Sequence, residues 1–344
     1  MLLLGTLSTV KGSHATDAVT VYDVFYNSRI SGARAGVFFV DARSGLSALA
    51  VTNGENHTIL GKGVIFKDRT SGKVGIATPD GSVTVHPFIE ATPFLAWSVA
   101  GNREWIAWVT GRVQSNSVIT DLYLARADGT NRQLVLRTSS TKGLTIRPLS
   151  VGNDGQTILY TRQVDDPKLY RAFPVFEDIY QLNVATGESV SLPGEPRCAC
   201  GAGVSPNGRF LFRSEFGSGT VSGTLFDLPT LTDRQIQIQI EPLTTAFKQS
   251  GDVLVNDSGT WVVYGLARAT GLSSERYSLV LVDTVERTQR YLIENNTNRL
   301  IPVAFQGDTL ILTTVTADGT YKLPIRTGGL VQVSAYSYIG CVAS

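Results

Sequence analysis

The chain has 344 residues, 42% hydrophobic and 17% charged, with a formal net charge of +1. That balance excludes an extended disordered chain and gives no basic footprint for nucleic acid or an anionic membrane surface. No apolar run approaches the roughly 20 residues of a helical membrane span. The 34 glycines, the abundance of Thr, Val and Ser, and the scarcity of helical apolar stripes make all-β the expected class.

In chain order, residues 1–18 read as an N-terminal lead. Met1-Leu2-Leu3-Leu4 is apolar but lacks the cationic start and full apolar core of a signal peptide. A plain lead is therefore favoured over the remnant of a targeting segment. A strand at residues 19–26 follows, and then seven strand–turn–strand units. They cover residues 36–51, 73–87, 122–136, 178–192, 223–240, 277–292 and 320–333. Their mean spacing is about 47 residues, within the range of a four-stranded blade. Turns such as Pro79-Asp80-Gly81 and Asp128-Gly129-Thr130 supply residues that tolerate the positive φ of tight hairpins.

Upstream of most units sits a second signature, an apolar strand, a Gly/Asn/Asp turn and another apolar strand. It reads WSVAGNREWIAW over residues 97–108 and VGNDGQTILY over 151–160. It returns as VSPNGRFLF over 204–212 and VNDSGTWVVY over 255–264, with weaker copies at 60–66 and 304–312.

These copies resemble the TolB-like, or PD40, β-propeller family, whose repeat runs W-S-P-D-G-x-x-I-A-F and later I-Y-x-x-D-x-x-G. Only Pro206 keeps the proline, and Asn102, Asn207 and Ser258 stand in for the aspartate. The expected fold is a seven-bladed β-propeller of four-stranded antiparallel blades over residues 19–335. The first unit lacks an inner strand, and residues 336–344 are expected to supply it and close the ring, in preference to residues 2–10. The resemblance also implies an extracytoplasmic setting, the periplasm or cell surface of a bacterium.

In such blades the connections B–C and D–A share one face. Three B–C connections read as long loops, at residues 111–120, 163–177 and 268–276, and long loops on a rigid scaffold are where binding residues concentrate. The candidate partner-binding residues are Arg112, Asp165, Asp166, Lys168, Tyr170, Arg171, Phe173, Phe176, Arg268 and Arg276. Aromatics beside arginine are typical of protein-binding hot spots. The competing reading has Phe173 and Phe176 fold back over their own blade.

Catalytic readings fail on inventory. His14, His57 and His86 are widely spaced, no G-x-S-x-G elbow precedes a helix, and no metal-ligand spacing occurs, so neither a metal nor another cofactor is expected. Asp165-Asp166 is a possible carboxylate pair or cation ligand, outweighed by a solvated loop. Cys198 and Cys200 are weak disulfide candidates beside the simpler reading of idle thiols, and the ring separates both from Cys341. The expected function is a non-catalytic scaffold or accessory subunit that binds another protein through the long-loop face. The alternatives are a ligand- or glycan-binding propeller, or an enzyme with a site at the channel mouth.

Overall fold

The computed structural model describes residues 19–31, 34–164, 172–173, 178–192, 201–217, 220–230, 237–244, 249–269, 275–314 and 319–343. They form seven four-stranded antiparallel sheets. A single 3-10 turn, Leu228–Thr230, is the one helical element among the described residues.

Blade one contains β1 (Val21–Ser31), β2 (Arg34–Asp41) and β3 (Ser47–Thr52). Blade two is β4 (Gly54–Leu60), β5 (Gly63–Asp68), β6 (Val74–Ala77) and β7 (Val83–Val85). Blade three is β8 (Ala96–Val99), β9 (Trp105–Gln114), β10 (Ser117–Arg126) and β11 (Gln133–Ser140). Blade four is β12 (Leu144–Val151), β13 (Thr157–Val164), β14 (Asp178–Asn183) and β15 (Ser189–Ser191). Blade five is β16 (Ala202–Val204), β17 (Phe210–Gly217), β18 (Thr220–Asp227) and β19 (Gln237–Thr244). Blade six is β20 (Gln249–Val255), β21 (Trp261–Ala269), β22 (Glu275–Asp283) and β23 (Thr288–Asn296). Blade seven is β24 (Leu300–Gln306), β25 (Thr309–Thr314), β26 (Thr320–Pro324) and β27 (Val331–Ser334). The last strand, β28 (Ser337–Ala343), returns to pair with β1 through Val21↔Ala343 and Asp23↔Cys341, and so becomes the inner strand of blade one. The ring is closed from the C-terminal side, as the sequence suggested.

Burial explains the pattern of each strand. A second strand is sandwiched between two neighbouring blades, so both of its faces are apolar. In β9, Trp105, Ala107 and Val109 pack towards blade four while Ile106 and Trp108 pack towards blade two. A continuous apolar run results, as expected of a strand buried on both sides. At the rim, the Val83-Thr84-Val85 strand is exposed throughout.

Six apolar clusters weld blade one to two, two to three, and so on to seven. Among the described residues, the junction between blades seven and one has no such cluster. Fully burying one aliphatic side chain is worth about 1.5–3 kcal/mol, so that junction lacks a large share of what holds the others.

The A–B turns carry the second sequence signature, and the structure gives it a mechanical role. The Asn102 N–H donates to Asn153 Oδ1 at 2.9 Å, and Asn102 Nδ2 donates to the Asn153 carbonyl at 2.8 Å. One step round the ring, Asn153 Nδ2 donates to the Pro206 carbonyl at 3.5 Å. Another step on, Asn207 makes the same two bonds to Asp257, at 2.8 and 2.7 Å. Blades three to six are thus latched turn to turn around the channel. The latch is tight: a Cβ on Gly101 would lie 1.6 Å from the Pro206 carbonyl oxygen. Gly101→Ala is therefore expected to force the turns of blades three and five apart. The expected cost is about 1–3 kcal/mol, read as a lower chemical-denaturation midpoint at unchanged m-value.

Candidate interaction face

The B–C and D–A connections form what we call the upper face. Two of the three connections expected to be long loops are largely strand. β9 and β10 stay paired up to Gln114↔Ser117, leaving only Ser115 and Asn116 as a tight turn, with Ser115 at φ 53°. β21 and β22 stay paired up to Ala269↔Glu275, so Arg268 and Arg276 are cross-strand partners rather than loop residues. In blade three the polar composition that suggests a loop belongs to a hairpin end exposed to water from Arg112 to Asn116. Of the third connection, residues 163–177, the structure describes residues 163–164 and 172–173.

On the blade-three hairpin, Arg112 is half exposed and its Nη1 lies 3.2 Å from Asp121 Oδ2. Arg137, also half exposed, meets the same carboxylate through Nε at 2.5 Å and Nη2 at 3.0 Å. Asp121 itself is 3% exposed. Hydrogen bonds, from Arg137 above all and then Arg112, outweigh the burial and hold its carboxyl below the usual carboxylate range. One buried carboxylate thus fixes two guanidinium groups at the surface, leaving a net positive charge there. Val113, beside them, is 68% exposed. On the blade-six hairpin Arg268 is exposed, and Arg276 Nη1 donates to the Glu275 carbonyl at 3.2 Å.

Asp165, Asp166, Lys168, Tyr170, Arg171 and Phe176 lie outside the described residues, as do Cys198 and Cys200. Phe173 is described, and it neither faces solvent nor folds back on its own blade. It is 2% exposed, in a slot at the upper end of the junction between blades six and seven. The slot exists because Gly251 and Gly265 lack side chains: added Cβ atoms would come within 2.3 and 3.1 Å of the Phe173 ring. Arg299 stacks on the ring with its Cζ 4.6 Å from the centroid, and Tyr277 meets it edge-on at 6.4 Å.

The backbone is held as firmly. The Phe173 N–H donates to Gln249 Oε1 at 3.1 Å, and Gln249 Nε2 returns a bond to the Phe173 carbonyl at 2.5 Å. Arg299 Nη1 donates to the Ala172 carbonyl at 2.7 Å while its Nε and Nη2 both hold Asp252 at 2.6 Å. Ala172 and Phe173, from the B–C connection of blade four, are therefore bolted to blades six and seven. The spacing of residues along the chain gives no hint of this bracing.

The lower face has a counterpart. Arg103 occupies the turn position where blades four to six carry Gly155, Gly208 and Gly259, and like them it has positive φ, 64°. Its guanidinium donates to the Cys341 carbonyl on β28 and lies 3.7 Å from the Cys341 sulfur. Cys341 is a free thiol. No cluster of three or more His, Cys, Asp or Glu side chains able to hold a metal occurs among the described residues. No helix among them is long and apolar enough to cross a membrane.

No protein-family model and no curated protein matches the sequence. Solved structures do match. The tricorn protease aligns with 97% of this chain at TM-score 0.55 and 11% identity, and an acylaminoacyl peptidase with 93% at TM-score 0.54 and 12% identity. The chain spans 36% of the first and 51% of the second, so it corresponds to only part of either. TolB from Acinetobacter baumannii aligns with 94% of this chain, and with 82% of its own length, at TM-score 0.47 and 13% identity. At such identities the likeness concerns the fold. In fold, the chain is a seven-bladed β-propeller. Its repeat signature falls at the A–B turns, where the Asn and Asp side chains latch one blade to the next. This propeller differs from a plain ring in the two braces, Phe173 above and Arg103 below, and in one junction without an apolar cluster among the described residues.

Proposed function

We propose that this propeller is a non-catalytic scaffold or accessory subunit that binds another protein through its upper face, in an extracytoplasmic setting. The observation that carries the reading is the blade-three hairpin. β9 and β10 run ten residues each and end in a tip whose Val113 is 68% exposed, beside two arginines held by Asp121. A strand pair that rises beyond the packed disc gains little burial within its own chain. An exposed apolar residue flanked by fixed guanidinium groups is the composition of a binding surface.

A photo-crosslinking amino acid placed at Val113 or Arg268, in cells that make the protein, is expected to give one discrete protein adduct. The same group at Asn131, in a C–D turn of the opposite face, or at Val85 on the rim is expected to give none. Equal labelling from all four positions, or from none, would overturn the assignment of the face.

A further inference from the structure

The junction between blades seven and one is the exception in the ring, and its residues explain why. Each second strand presents an aliphatic residue to the blade before it: Val64, Ile106, Ile158, Leu211, Val262 and Leu310, all fully buried in blades two to seven. In blade one the residue at this position, on β1, is Asp23, because Tyr22 and Val24 pack on the blade-two side. The facing third strand departs in the same way. Where β2 offers Val37 and Phe39 to its neighbour and β10 offers Leu122 and Leu124, β26 offers Thr320 and Lys322.

The two charged residues do not neutralise each other. Asp23, half-buried on β1, and Lys322, exposed on β26, both line a cavity of ≈ 170 Å³ and are not joined as an ion pair. The remaining lining is divided. Phe25, Ile311 and Val333 give an apolar wall, while Gln306, Ser334 and Tyr338 add polar groups. Two chain irregularities lie beside the cavity. The register slips between Thr320 and Tyr321 where β26 meets β27, and between Val24 and Phe25 where β1 meets β28. Tyr338 sits edge-on to Phe25 at 5.5 Å. Burial, and then the Asp23 charge, push its phenol up to about 12, so it remains a neutral hydroxyl beside the carboxylate. Arg103, the other cation near this wall, is committed to the Cys341 carbonyl.

A half-buried carboxylate in place of an aliphatic residue forfeits apolar burial and favours a cationic partner. Here a half-buried carboxylate beside the Tyr338 hydroxyl and an exposed lysine line one space the size of a small molecule. A cavity of about 150 Å³ takes benzene, so this one has room for roughly six to nine non-hydrogen atoms. We propose that the blade-seven/blade-one cavity binds a small aliphatic α-amino acid. Its ammonium would meet Asp23, its carboxylate Lys322, and its side chain the Phe25–Ile311–Val333 wall.

The test is a calorimetric titration of the full chain with L-valine and L-leucine, alongside N-acetyl-L-valine and L-valinamide, which each lack one of the two charges. Saturable binding of the free amino acids is expected, with the blocked analogues and the variants Asp23→Asn and Lys322→Met at least about tenfold weaker. Absence of binding by both amino acids would overturn the proposal, as would equal binding of the blocked analogues or unchanged affinity in Asp23→Asn. Stability gives a second readout that needs no ligand. Asp23→Val restores the residue type of the other six blades and is expected to raise the melting temperature of the unliganded protein. A lower melting temperature would mark Asp23 as a structural residue and count against the site.

Discussion

Phe173→Ala is expected to destabilise the protein by about 3–5 kcal/mol, the usual range for removing a fully buried aromatic side chain. The ring is 2% exposed and fills a slot made by two glycines, so its loss leaves a cavity that the surroundings have little means of closing. Arg299 loses the face it stacks on, although its bonds to Asp252 and Ala172 do not depend on the ring. The effect should also be local. Lys168 and Arg171 precede the anchor, and trypsin cleavage after them is expected to accelerate in the variant by more than global unfolding explains. Gly251→Ala supplies the converse test, because its methyl group would come within 2.3 Å of the Phe173 ring and displace it without removing any atom. The two variants should share the protease phenotype. Normal stability and unchanged cleavage in both would mean that the blade-four connection is not held by this ring.

How much of this was legible in the sequence follows from where the information sits. The blades are local objects. Gly155, Gly208 and Gly259 turn with φ near +70°, and each is flanked by apolar strands only a few residues away, so a repeat signature exposes them. The hairpin of blade three reads wrongly because its end carries no core. Arg112, Gln114 and Ser115 lie in or beside strands with water on both faces, where the alternation that betrays a strand is lost. Phe173 could not be placed from sequence, since Gln249 and Arg299 are 76 and 127 residues away from the segment they hold.

The seam cavity was hidden for a different reason. Tyr22-Asp23-Val24-Phe25 is an ordinary alternating strand when read alone. Asp23 becomes anomalous only once the ring assigns it the place held by Val64, Ile106 or Leu310 in other blades. A closed repeat architecture supplies six internal comparisons for every position. A departure such as Asp23 is then visible as the blade that breaks the rule.

Acidification from pH 7.5 to pH 5 is expected to remove about 2 kcal/mol of stability for each of two histidines, His86 buried and His57 half-buried. His86 is 5% exposed, and its Nδ1 accepts the Ile89 N–H at 3.3 Å, with Phe88 packed edge-on at 4.5 Å. Adding a proton to Nδ1 would set two donors against each other. His57 lies between the rings of Tyr26 and Phe66, with centroids at 4.2 and 5.6 Å, and its Nε2 is buried without a partner. Burial lowers both imidazoles from 6.5 to about 4, and for His57 the Arg69 charge adds to it.

The sign follows directly. Between about pH 4 and 6.5 the unfolded chain binds protons that the folded chain refuses. Stability is therefore complete above 6.5 and is lost as the pH falls towards 4. The carboxylates with resolved shifts, including Asp41, Asp68 and Asp121, are displaced downwards by their hydrogen bonds, so they titrate below this window and leave it to the histidines. Urea denaturation at the two pH values is expected to show the combined loss in the parent protein and about half of it in His57→Phe. A stability that stays flat across the interval would show that both imidazoles accept their protons inside the fold.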